Sequence, residues 1–315
     1  GRSFDSASSR ISSSGRARRC FVTSSCLYSM MVCSVIAIVC VVAKGSDEVV
    51  IPKGASLDFL SVLFIVISIP IGIMFLRAGQ GSLPRKGYLD PAITPVMAIM
   101  LCAAMLLLGG FGGLWGSTRV DEDSMERLAW MYSGAMIAQI PIVIAYAVFR
   151  SRFGSRNIVP SSIIAFIVFV PMTFAIAAIA HVAFVKAGFE SPSEIGHVTL
   201  LQLSSEPWGK SAWVVVLCAT VGAGIIEEVM YRGLILPTLS TIIGGNTVWK
   251  AIIITSILFS AMHWGSVQPS ALLGLFVLSI GLCWARVKSG GVVAPAAIHI
   301  VFNAINIAFV YSTRI

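Results

Sequence analysis

Apolar residues gather along this chain in long stretches of bilayer-crossing length. They cover roughly 27–43, 57–76, 92–114, 128–149, 161–186, 211–241, 249–264, 270–286 and 292–311. About 20 apolar residues, rising 1.5 Å each, cross a hydrocarbon core of about 30 Å. The pattern predicts an all-α fold, a polytopic transmembrane helix bundle with about eight or nine membrane segments. The stretch 249–264 is short for a crossing, which predicts a broken or re-entrant segment ending near His263. Pro70, Pro141 and Pro171 fall inside apolar runs and predict kinks, and Pro237 predicts an interruption of the run 211–241.

Composition agrees with this picture. Hydrophobic residues make up 57% of the chain and charged residues 11%. Mean hydropathy is +0.91, and a soluble core of this size needs far more surface charge. Three regions follow: a basic, Ser/Arg-rich tail over 1–26, expected to be disordered; membrane helices over 27–210; and a helix bundle over 211–315 that holds the candidate chemistry. An alternative for the first segment is a signal peptide, with Arg16, Arg18 and Arg19 before it and Val41-Val42-Ala43 as its cleavage site. The seven cysteines contain no CxxC pair. Cys26, Cys33 and Cys40 recur every seven residues and read as packing residues. Gly109, Gly110, Gly112, Gly113 and Gly116 offer GxxxG spacing for close helix packing.

The net charge of +8 is accounted for by membrane loops and calls for no nucleic acid. Basic residues collect in the tail, at Arg77, Arg85 and Lys86, at Arg150, Arg152 and Arg156, and at Arg286 and Lys288. The intervening loops hold Asp121, Glu122, Asp123 and Glu126, then Glu190, Glu194 and Glu206. By the positive-inside rule the N-terminus and the basic loops face the cytoplasm. An integral protein of a bacterial plasma membrane is the expected location.

Against this apolar background GIIEEVMYRG, 224–233, stands out. A carboxylate at mid-membrane costs roughly 2.5–3.5 kcal/mol by insertion scales, so each needs a partner or water. Glu228 and Arg232, four apart, share a helix face and predict an ion pair. Glu227 points about 100° away from Glu228 and is left to face a polar cavity. His263 closes ILFSAMH, and His299 and Asn303 share a face of the last helix. These residues are expected to converge on one water-accessible cavity, with His181 and His197 outside it as interfacial residues.

The order Glu227-Glu228-x-x-x-Arg232, Phe259-x-x-x-His263, His299-x-x-x-Asn303 resembles the signature of the CPBP intramembrane protease family. That family includes the type II CAAX prenyl endopeptidases and proteins linked to bacteriocin self-immunity. The resemblance covers residues 211–310 and includes Tyr231-Arg232-Gly233 and the turn Ser289-Gly290-Gly291. It implies an intramembrane endopeptidase in which Glu227 and His263 activate water, His299 and Asn303 stabilise the oxyanion, and Glu228 and Arg232 organise the site. Its partners would be the lipid bilayer and a membrane-associated or lipidated protein substrate.

A zinc-dependent form would hold Zn²⁺ on Glu227, His263 and His299 with a water position open, but HExxH is absent, so both the metal-dependent and metal-free forms stay open. So do an ion- or proton-coupled transporter, since intramembrane Glu, His and Arg also mark ion pathways, and a catalytically silent immunity or scaffold protein on the same fold.

Overall fold

The computed structural model describes residues 59–80, 93–120, 124–149, 157–190, 195–244 and 248–312. The basic tail, the first apolar run with its signal-peptide alternative, and the Cys26, Cys33 and Cys40 ladder lie outside the described residues. Among the described residues the fold is helical, with two isolated bridges, His197 to Val267 and Trp264 to Val267.

The helices in chain order are α1 (Phe59–Gln80), α2 (Pro95–Ser117), α3 (Met125–Phe149), α4 (Ile158–Lys186), α5 (Val198–Ser205), α6 (Lys210–Ile243), α7 (Trp249–Ala261), α8 (Pro269–Ser289) and α9 (Val293–Ser312). Six of them, α2, α3, α4, α6, α8 and α9, are long and apolar enough to cross a membrane, and the protein is an integral membrane helix bundle. Pro70, Pro141 and Pro171 sit inside α1, α3 and α4 as expected.

The GxxxG glycines pack α2 against α3. A Cβ on Gly112 would collide with the Gly134 carbonyl, and one on Gly116 with the Trp130 carbonyl, so the two backbones touch as small residues in membranes allow. α8 runs beside α4, where Gly281 leaves room only for the Phe169 ring. Phe169, Leu282, Trp284 and Phe302 centre the largest buried cluster. A second cluster, with Tyr146, Val229, Tyr231, Leu234 and Phe259, surrounds the charged stretch of α6.

Two elements set the site. α7 has 13 residues and reaches about 20 Å at 1.5 Å per residue, short of the core thickness. A loop over 262–268 then turns the chain into α8, which agrees with the short-segment expectation. Glu190 caps that turn: its carboxylate accepts from the Ser270 amide at 3.1 Å and the Ser270 hydroxyl at 2.6 Å, and His181 Nδ1 lies 2.8 Å away. At the other end of α8, Gly290 takes the left-handed φ of 75° that ends helices cheaply only at glycine.

The other element is α6. It runs for 34 residues and is not interrupted at Pro237. Instead it widens into π geometry at Cys218–Gly222 and at Val229–Ile235, with the α-helical piece Ala223–Glu228 between. Single π turns inside α-helices often mark functional sites. One further expectation changes: Arg286, counted among the loop cations, is wholly buried in α8.

Candidate active site

Glu227 and Glu228 leave α6 in different directions, and burial separates them. The Glu228 and Arg232 side chains are 0% exposed, whereas Glu227 is 26% and His263 20% exposed. The sequence expectation of one convergent cavity therefore becomes two adjoining layers.

The outer layer is Glu227 facing His263. Glu227 Oε2 and His263 Nε2 are 3.9 Å apart, too far for a direct hydrogen bond. The Glu227 oxygen is buried and has no hydrogen-bond partner within the protein. His263 Nδ1 lies 2.8 Å from the Phe259 carbonyl. A carbonyl only accepts, so Nδ1 carries a proton and Nε2 is the ring atom turned toward Glu227.

The inner layer is a charge network. Arg232 Nη1 donates to Glu228 Oε1 at 2.9 Å, which is the ion pair expected from the i,i+4 spacing. Arg232 Nη2 donates to the Ser279 hydroxyl at 2.7 Å, tying α6 to α8. His299 Nδ1 meets the same Glu228 Oε1 at 2.9 Å, so Glu228 serves α9 as well as its own helix. Asn303, one turn beyond His299, donates from Nδ2 to the Ala219 carbonyl at 2.8 Å, inside the first π segment. The Phe259 ring joins the layers. It packs on His263, His299 and Tyr231, with the Arg232 guanidinium 4.6 Å from its centroid. The motif spacing had shown Phe259 only as a place-marker four residues before His263.

One correction concerns a histidine. His197 does not lie apart from the site. Its bridge to Val267, the bond from the Val198 amide to the Ser266 carbonyl at 3.1 Å and that from the Gln268 amide to the Gly196 carbonyl at 2.8 Å lay it along the His263 loop. Burial, with His263 as a second cause, pushes the His197 imidazole down to about 4. Its Nδ1 caps α5 by accepting from the Thr199 amide at 3.1 Å, and Thr199 in turn meets the Tyr132 hydroxyl of α3 at 2.8 Å. A zinc-dependent form would draw on three of these side chains. It needs Glu227, His263 and His299 around one ion, with His299 binding through Nε2 because its Nδ1 lies 2.9 Å from Glu228. Among the described residues no group of three or more His, Cys, Asp or Glu is placed to hold a metal. The donors as arranged do not fit the expected three-residue zinc site.

Apart from Tyr132 and the segment 196–199, these residues fall in one stretch of chain. Residues 209–305 match the family model described as type II CAAX prenyl endopeptidase Rce1-like. The Rce1-like stretch is under a third of the chain, and it contains Glu227, Glu228, Arg232, His263, His299 and Asn303. No curated protein and no solved structure matches the chain.

Proposed function

We propose that the protein is an intramembrane endopeptidase that hydrolyses a peptide bond of a membrane-associated or lipidated protein with water activated by Glu227 and His263. The observation that carries this reading is the 3.9 Å separation of Glu227 Oε2 and His263 Nε2. One water spans that separation with hydrogen bonds of about 2.8 Å to each group. It donates one hydrogen to the carboxylate and the other to the imidazole, leaving an oxygen lone pair for the scissile carbonyl carbon. As the C–O bond forms, Glu227 takes the water proton. As the C–N bond breaks, it returns that proton to the leaving amine.

The carbonyl oxygen becomes an oxyanion and needs donors. Asn303 Nδ2 keeps one N–H beyond the bond it makes to Ala219. His299 serves only with its ring protonated, because Nδ1 is spent on Glu228 and a neutral ring would present a lone pair at Nε2. The Glu228 carboxylate, already paired with Arg232, accepts from His299 Nδ1 and lowers the cost of that charge. No step here passes through a metal.

The deciding experiment uses purified protein in detergent or liposomes with membrane-embedded and lipidated peptides. Cleavage that Glu227→Gln abolishes and that a zinc chelator leaves intact supports the reading. No cleavage, together with ion-dependent uptake into liposomes, would install the transporter instead. The buried Glu228, Arg232 and His299 network gives that alternative its footing.

The location follows from charge. With the basic loops and N-terminus cytoplasmic, the opposite end of the bundle carries the 262–268 loop, α5, and the end of α9, where Tyr311 packs on Trp208 at 4.7 Å. Substrates then arrive from the non-cytoplasmic face. An impermeant thiol reagent should label a Ser266→Cys variant in intact cells, and labelling only after permeabilisation would reverse the orientation.

A further inference from the structure

In the second π segment, backbone amides reach back five residues rather than four. The Leu236 amide donates to the Tyr231 carbonyl. The next bond in that register would run from residue 237 to the Arg232 carbonyl, but residue 237 is proline and has no N–H. A donor from another helix takes its place. Arg286 Nε, on α8, donates to the Arg232 carbonyl at 3.0 Å. Arg286 is fully buried, so a charged side chain deep in the bundle reaches this backbone oxygen. That oxygen belongs to the residue whose guanidinium holds Glu228, and Glu228 holds His299.

We propose that Arg286 is a positioning residue for the site: it supplies the hydrogen bond that Pro237 cannot, holds the wide turn at Val229–Ile235, and so fixes the direction in which Arg232 and Glu228 present His299. Sequence position alone makes Arg286 a loop cation. Its burial and its backbone partner give it this different task. Lysine could not repeat it, since an ammonium lacks the flat Nε–H that lies along this bond.

The test compares four chains in detergent: native, Arg286→Gln, Pro237→Ala, and the two together. Alanine at 237 restores the missing amide, so it should make Arg286 dispensable. Arg286→Gln should lower the melting temperature and cut kcat for peptide cleavage by roughly tenfold or more, with KM changed by less than about twofold. Pro237→Ala alone should change little. The double variant should recover most of both losses. Losses that simply add would overturn the proposal, because independent sites add. Recovery of melting temperature without recovery of kcat would overturn the positioning role. If Arg286→Gln alone does not fold, a folded double variant supports the proposal and an unfolded one overturns it. The kcat readout rests on the endopeptidase reading, but the melting comparison does not. A native chain that cleaves nothing would sink that reading and leave the coupling of Arg286 to Pro237 to be judged by melting.

Discussion

Glu228 Oε1 lies 2.9 Å from His299 Nδ1 across 71 positions of sequence. The same oxygen takes Arg232 Nη1, also at 2.9 Å. One buried carboxylate atom thus joins α6 to α9 and neutralises an arginine, which makes Glu228 the keystone of the inner layer.

Removing either member of the Glu228–Arg232 pair strands the other charge, at a cost of roughly 3–5 kcal/mol for a buried ion pair. Arg232→Ala should therefore lower yield and melting temperature sharply. Glu228→Gln combined with Arg232→Met leaves no orphan charge and should regain part of that stability, though not activity, since His299 loses its carboxylate. A double variant as unstable as the two single losses added together would show that the residues are not coupled.

Glu227→Gln should abolish peptide cleavage while the melting temperature stays near that of the native chain. Glutamine keeps the shape but cannot accept the water proton. His263→Ala should be as severe in the same assay. Undiminished turnover by folded Glu227→Gln protein would remove the general base from the scheme.

Asn303→Ala should slow kcat by about 10²–10³, the usual loss for one oxyanion donor. It also removes the bond to the Ala219 carbonyl, so melting should fall modestly. A loss of melting temperature with kcat unchanged would reduce Asn303 to a tie between α9 and the first π segment.

His197 gives the site a pH-sensitive edge. Its folded ring is held at about 4 against an ordinary 6.5, so folding favours the neutral form. That contribution is present above about 6.5 and is lost as pH falls toward 4. Protonation also removes the Nδ1 lone pair that caps α5. Asparagine keeps a capping oxygen and does not titrate in this range. His197→Asn should therefore retain more of its melting temperature between pH 7 and pH 4 than the native chain does. Equal losses would assign the acid sensitivity elsewhere.

The sequence made the helices readable because a bilayer demands continuous apolar length, and it made the Glu228–Arg232 pair readable because i,i+4 spacing is local. The facing of Glu227 and His263 is expected from the cost of leaving each alone in lipid and from the resemblance, since no spacing rule relates two helices. The turn of His299 toward Glu228 depends on how α9 is rotated against α6, which sequence does not state. The π segments are invisible for a related reason: a regular helix has a 3.6-residue period, and one wide turn shifts every later side chain. Arg286 lies near a helix end and so looks like a loop cation in sequence, and His197 looks remote because its bridge to Val267 spans distant parts of the chain.

The distance in sequence between Glu228 and His299 also orders events during biosynthesis. Polypeptides emerge from the N-terminal end, so α6 enters the membrane before α9 exists. It can do so because its buried acid already carries its own cation four residues on, and the pair crosses as one neutral unit. The histidine arrives last, with the final helix. A chain still being made therefore holds a complete and tolerable α6 but no finished site, and the constellation stays incomplete until the closing segment is in place.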